Sequence, residues 1–172
     1  MTAFVALLRA VNVGGTTKLA MADLKRVAEG LGLNDPRTYI ASGNLLFSTE
    51  ESEAKVRGRL EEALTAHLGK PAKVMVRTAA EMSAVVAANP FHDAPGRRVL
   101  AIFLESAPPK NALDDARGRD GERLALGKRE IYVDYCGTSL GRSKLKIPAA
   151  AAGTGRNMNT VAKLAELAKE MA

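Results

Sequence analysis

The first 77 residues pass through apolar segments whose periods read strand, helix, strand, strand, helix, strand, and that order admits few folds. Ala3–Val11 is an apolar run ending in Asn-Val-Gly-Gly, a buried strand running into a flexible loop. Met21, Leu24, Val27/Ala28 and Leu31 then recur at helical spacing, and Gly30–Gly32 stops the helix. Arg37–Ile40 and Leu45–Ser48 read as strands around Ser42-Gly43-Asn44, where Gly and Asn tolerate a positive φ. Ser52 caps a second helix, with Val56, Leu60, Ala63/Leu64 and Leu68 on one face and Gly69 and Pro71 closing it. Lys73–Arg77 is a short strand. This β-α-β-β-α-β order is the split ferredoxin-like pattern, which buries one sheet face under two helices.

The second half repeats the order incompletely. Thr78-Ala-Ala-Glu81 is a capping box that opens a helix with Met82, Val85 and Val86 facing inward, and Asn89-Pro90 ends it. Val99–Leu104 is an apolar strand, and Pro108-Pro109 opens a short helix carrying Leu113 and Ala116. Arg123–Leu126 and Glu130–Tyr135 read as strands around Gly127-Lys128-Arg129. A loop or short helix follows through Ile147-Pro148. The last helix presents Val161, Leu164, Ala165, Ala168 and Met171 on one face. The pattern is β-α-β-β-α without a final strand. The expected fold is therefore α+β, two ferredoxin-like halves packed together, with residues 1–78 forming the first and 79–172 the second.

A chain of 172 residues suits one compact domain or two small subdomains. Its 4% aromatic content and lack of Trp require an aliphatic core. The net charge is +6 and the pI about 9.6. Between Gly141 and Lys163 the basic residues Arg142, Lys144, Lys146, Arg156 and Lys163 occur without a single acid. Such a local field attracts phosphates, nucleotides or nucleic acid; the plain alternative is a solvated basic surface. The single cysteine, Cys136, excludes an internal disulfide and fits a reducing cytoplasm, the expected location. The N-terminus has no basic n-region or cleavage site and reads as a strand. No run approaches the roughly 20 apolar residues of a membrane helix, so no membrane partner is expected.

Four segments combine backbone freedom, hydrogen-bond donors and positive charge. In Arg9–Lys18, Gly14 and Gly15 allow backbone amides to converge on an anion, and Lys18 adds charge near a helix start. Neither the Walker spacing nor the dinucleotide fingerprint is present. Arg9, placed within an apolar strand, must reach solvent, a ligand, or a carboxylate such as Asp134 or Glu130. Ser42, Gly43 and Asn44 place a hydroxyl and an amide at the end of a sheet, or simply make a turn. Arg142, Ser143 and Lys144 add two cations and a hydroxyl. In Thr154–Thr160, Gly153 and Gly155 loosen the chain, Asn157 or Asn159 caps the last helix, and Arg156 stands beside the helix N-terminus. His67, His92 and Cys136 make no recognised metal spacing, Cys136 is expected to be semi-buried, and no cofactor is implied.

Taken together these motifs resemble the bacterial family known as domain of unknown function 1697. The resemblance rests on Leu8-Arg9-Ala-Val-Asn12-Val-Gly14-Gly15, Lys18, Met21-Ala-Asp23-Leu24 and Thr38-Tyr39-Ile40-Ala-Ser42-Gly43-Asn44. It continues through Asn89-Pro90-Phe91, Glu130-Ile-Tyr132, Gly141-Arg142-Ser143-Lys144 and Thr154-Gly155-Arg156-Asn157-Met-Asn159-Thr160. It implies two ferredoxin-like halves and no established activity. This sequence departs from the family pattern at Ala41, where glutamine is usual, and at Met158, where tryptophan is usual. Lys146–Gly153 is also shorter and Ala-rich where relatives have a fuller helix.

The expected function is binding of a phosphate-bearing or other anionic ligand. Arg9, Lys18, Arg142, Lys144 and Arg156 supply charge, Gly14, Gly15 and the last helix supply amides, and Asn12, Ser42, Asn44, Asn157 and Asn159 orient the ligand. Few aromatics are available as a stacking platform, which favours a small nucleotide over nucleic acid. An enzyme acting on an anionic small molecule through Ser42, Ser143 or Thr160 is one alternative, although no base or metal accompanies them. A dimeric interaction protein is another.

Overall fold

A computed structural model of the chain describes residues 1–12, 17–137 and 142–172. The chain divides into two units, Met1–Met82 with Leu164–Ala172, and Ser83–Lys163. The boundary expected after residue 78 thus falls a few residues later, and the distal part of the last helix groups with the first unit.

In unit 1 the strands are β1 (Thr2–Leu8), β2 (Asn34–Thr38), β3 (Asn44–Thr49) and β4 (Val74–Thr78). Helix α1 (Met21–Gly30) connects β1 to β2, and α2 (Glu53–Leu68) connects β3 to β4. The sheet order β2-β3-β1-β4, antiparallel throughout, is the ferredoxin-like arrangement. One face of the sheet presents Phe4, Ala6, Leu8, Leu45, Phe47, Val74 and Val76 to Leu24 and Ala28 of α1 and to Val56, Leu60 and Leu64 of α2. Helix α2 begins as the sequence dictates, with Ser52 Oγ accepting from the Lys55 amide, and ends at Gly69 in the left-handed region. The edge strand β2 lies earlier than the expected Arg37–Ile40. It contains Pro36 and Asp35 at φ +48, and its register with β3 shifts between Asn34 and Arg37.

Unit 2 opens with α3 (Ala79–Ala87), whose first turn crosses the unit boundary. The expected capping box is formed: the Thr78 amide donates to Glu81 Oε1 (2.9 Å) and the Glu81 amide to Thr78 Oγ1 (3.1 Å). The strands are β5 (Val99–Phe103), β6 (Arg123–Leu126), β7 (Glu130–Asp134) and β8 (Thr154–Asn157), in the order β6-β7-β5-β8. That is the order of unit 1, so the second half does have the final strand the sequence reading left out. Thr154-Gly-Arg-Asn carries no apolar alternation, which hides the strand. Gly155 serves close approach rather than looseness: a Cβ there would lie 2.6 Å from Leu100 Cδ2 of β5. Helix α4 (Met158–Met171) follows at once. The short helix expected after Pro108-Pro109 is instead a series of turns, and residues 148–150 form one 3-10 turn.

Unit 2 is pinned by a buried carboxylate. Asp134 is fully buried in β7, directly opposite Arg123 of β6. It accepts from Arg123 Nη2 (2.6 Å) and Nε (2.8 Å), from Arg98 Nε (2.8 Å), and from the amide (3.0 Å) and thiol (3.2 Å) of Cys136. Arg123 also pairs with Asp93 at 3.0 Å and lies 4.7 Å over the Phe91 ring. The Asn89 side chain fixes the Phe91 amide (2.9 Å), so Asn89-Pro90-Phe91 is part of this support. Cys136 itself is exposed rather than semi-buried. Tyr132, next along the same face, donates to the Val85 carbonyl (2.7 Å) and ties β7 to α3; burial, with Glu130 nearby, pushes its phenol up to about 12. Among the described residues, no helix is long and apolar enough to cross a membrane.

Burial alone would raise the Asp134 carboxyl. The hydrogen bonds from Arg98, Cys136 and Arg123 outweigh it and hold the group well below the usual carboxylate range. A depressed native value stabilises the fold above the unfolded value of about 4, and that stabilisation is lost as pH falls through the native value. Asp134→Ala is expected to cost about 2–3 kcal/mol at neutral pH, since the half-exposed arginines can rehydrate. Arg98→Met with Arg123→Met strands the buried carboxylate and is expected to cost more, about 3–5 kcal/mol. Urea unfolding at pH 7 and below pH 4 checks both values, and the variant without Asp134 should lose less stability on acidification.

Candidate functional site

The end of β1 in unit 1 has an unusual backbone. Ala10 (φ +56) and Asn12 (φ +54) are left-handed without being glycine, and so is Ile40 (φ +51) in the turn before β3. Each such residue costs about 1–3 kcal/mol and persists only where its surroundings hold it; at Asn12 side-chain hydrogen bonds do so. Asn12 Nδ2 donates to the carbonyls of Leu19 (2.7 Å) and Ala41 (2.8 Å), and Asn12 Oδ1 accepts from the Leu19 amide (2.8 Å). The Asn12 amide donates to the Thr17 carbonyl at 2.7 Å.

The Ser42–Asn44 turn packs against the same point. The Leu8 amide donates to the Gly43 carbonyl (2.9 Å), and a Cβ at Gly43 would lie 2.6 Å from Val11 Cγ2, at a φ of +88. Asn44, fully buried, donates to the Tyr39 carbonyl (2.9 Å) and Ser42 Oγ (3.0 Å). The structure therefore brings together two of the four segments singled out in the sequence. In this arrangement Asn12, Ser42, Gly43 and Asn44 bond mainly to protein and act as a scaffold. Gly14 and Gly15 lie outside the described residues. Lys18 is exposed directly after Thr17.

Arg9 was expected inside a strand. It lies one residue beyond β1 and is exposed, while Asp134 bonds Arg98 and Arg123. Arg9 lines a cavity of about 290 Å³ with Leu8, Ala10, Val11 and Thr17 on one side and Leu68, Lys70, Pro71, Ala72 and Lys73 on the other. Its amide donates to the Lys73 carbonyl at 3.0 Å. Among the described residues, the lining holds three cationic residues and no acid. The sequence does not single out Lys70 and Lys73, because one lies in the stop of a helix closed by Gly69 and Pro71 and the other at the start of the strand Lys73–Arg77. Only the antiparallel pairing of Leu8 with Val74 sets them beside Arg9. The carboxyl end of α2 itself favours a nearby cation, but it does not require three.

The other two segments lie in unit 2 and are engaged separately. Ser143 Oγ donates to Glu122 Oε1 (3.0 Å) and accepts from the Leu145 amide (3.2 Å). Glu122 is buried, and its carboxyl is held low by the Asp120 amide above all, against the opposing effect of burial. Arg142 and Lys144 are exposed. Arg156, expected in a loop beside a helix, is instead a buried strand residue. Its guanidinium donates to Thr154 Oγ1 (2.7 Å) and to the Gly155 carbonyl (2.9 Å), and burial lowers it to about 10. Asn157 caps α4 as expected, accepting from the Thr160 amide at 3.0 Å. Thr160 is buried, and the Asn159 side chain packs on Gly96, where an added Cβ would lie 2.1 Å from Oδ1.

Residues 1–132 match the family model described as "Protein of unknown function (DUF1697)". The chain belongs to the DUF1697 family. Its fold is also similar to the solved structure of a conserved bacterial protein from Streptococcus pneumoniae, with a TM-score of 0.80 and 25% identity, covering 97% of this chain and 98% of that one. No curated protein matches it significantly. The matched span includes the scaffold Arg9–Asn12 with Ser42–Asn44 and the Asn89-Pro90-Phe91 support of Arg123. Replacing Asn12 by Ala removes three hydrogen bonds that hold left-handed backbone. An expected loss of about 1–2 kcal/mol, read from the thermal midpoint, checks the scaffold role.

Proposed function

We propose that this DUF1697 protein binds a phosphate-bearing small molecule, or another compact anion, in the cavity between the end of β1 and the Gly69–Lys73 segment. The observation that supports this reading is the acid-free lining with Arg9, Lys70 and Lys73 converging on about 290 Å³. Two ammonium groups act as adaptable point charges toward phosphate, and a guanidinium adds a planar fork. The scaffold of Asn12, Gly43 and Asn44 fixes the backbone that carries Arg9, so little ordering remains to be done when the anion arrives.

A compact ligand suits the cavity better than nucleic acid does. Among the described residues, the lining contains no aromatic ring for stacking a base. Binding alone is proposed, since among the described residues of the lining none is a general base set beside a nucleophile.

Titration calorimetry with pyrophosphate and a panel of nucleotides tests the reading. Lys70 and Lys73 are exposed, so Lys70→Ala with Lys73→Ala should fold normally. The pair is expected to weaken binding at least tenfold, about 1.4 kcal/mol or more. Unchanged affinity in that variant rejects this site. A steep fall of affinity with salt for oligonucleotides, with no binding of mononucleotides, would transfer the reading to a polyanion.

A further inference from the structure

The two units cover equivalent sheet faces in different ways. In unit 1 the helices α1 and α2 pack against the sheet face through Leu24, Ala28, Val56, Leu60 and Leu64. In unit 2, among the described residues, the face made by Ile131, Val133, Leu100 and Ile102 packs against turns around Leu113 and Ala116 and the segment Leu145–Ala150 rather than against two helices. The alanines of that segment are too short to fill the space a helix would occupy. A cavity of about 460 Å³ remains.

Its walls are apolar where they meet the sheet, at Ile102, Val133, Leu145 and Ile147. Two cations, Arg117 and Lys146, also line it. These residues face each other in an antiparallel bridge and exchange both backbone hydrogen bonds, each 2.8 Å. Partners in such a pair lie about 5.5 Å apart with side chains on the same side, and like charges so placed repel. Neither has an acidic partner among the described residues. Next to the bridge, Gly118 allows the two segments to approach closely: a Cβ there would lie 2.1 Å from the Lys144 carbonyl oxygen. Tyr135 also lines the cavity, and its hydroxyl meets no hydrogen-bond partner among the described residues.

We propose that this cavity of unit 2 is a binding site for a small amphipathic anion, a compact apolar tail bearing one carboxylate. The tail lies on Ile102, Val133, Leu145 and Ile147, and Arg117, Lys146 and the Tyr135 hydroxyl take the carboxylate. The volume is that of ordinary small-ligand sites, which pair apolar walls with a few polar groups that fix orientation. The anion relieves the repulsion between Arg117 and Lys146, and burial of the tail adds to affinity roughly in proportion to area. This site is separate in chain and in chemistry from the phosphate-type recess of unit 1, whose lining is more strongly charged.

Titration calorimetry with octanoate below its micellar concentration is the test, with octanol and inorganic phosphate as comparison probes. Saturable octanoate binding is expected, at least tenfold tighter than octanol. Lys146→Ala, at an exposed position, is expected to weaken octanoate about tenfold and to leave octanol unaffected. Ala151→Trp, also at an exposed lining position, is expected to fill the space and abolish binding of both. Lys70→Ala with Lys73→Ala should leave octanoate binding unchanged, which separates this site from the one in unit 1. No saturable octanoate isotherm overturns the proposal, as does equal affinity in the Lys146→Ala protein or octanol binding as tightly as octanoate.

Discussion

The antiparallel pairing of β1 with β4 governs the arrangement of the first unit. Leu8 lies opposite Val74, and the next backbone bond runs from the Arg9 amide to the Lys73 carbonyl. This register brings the exit of the first strand and the entry of the fourth to one end of the sheet. A shift by one residue would replace Phe4, Ala6 and Leu8 on the helix face by Ala3, Val5 and Leu7, which are also apolar and buried, and so would undo the packing fitted to α1 and α2. The hydrophobic core therefore determines which charged residues become neighbours at the rim. Arg9 and Lys73 meet there because of what Leu8 and Val74 bury.

The strained loop beside that pair depends on the same register. Gly43 can accept the Leu8 amide only because its missing side chain leaves room for Val11. Asn12 then spans to Ala41 and Leu19 and holds the backbone in conformations that a free loop would rarely visit. Asparagine and glycine at these positions are needed first for architecture. Unit 2 uses a different device, a carboxylate wholly removed from water and surrounded by two arginines and a cysteine. Both devices fix an irregular segment at the end of a sheet, one through neutral amides and the other through charge.

Much of the fold was legible because periodicity and capping agree. The helix begun at Ser52 and the capping box of Thr78 and Glu81 appear as the residues dictate, and the split ferredoxin-like order of the first half follows from six apolar segments. β8 was not legible: Thr154-Gly-Arg-Asn has polar residues on its buried side, so no period-two hydrophobic signal exists. The turns after Pro108-Pro109 were misjudged because two apolar residues at helical spacing, Leu113 and Ala116, also suit a series of turns. At the candidate site, the motif residues were legible as special but not as scaffold, since a hydrogen bond from Asn12 to Ala41 leaves no trace in either segment alone. Lys70 and Lys73 gave no signal, because nothing short of strand pairing relates them to Arg9.

The outer strand of the first sheet has one more consequence. Pro36 offers no amide hydrogen, and Asp35 turns the chain out of extended geometry beside it. A neighbouring polypeptide arriving along β2 would find its ladder broken in the middle, with the irregular register already twisting the ribbon away. Accretion of further strands on that flank is thereby suppressed, and the sheet stops at four.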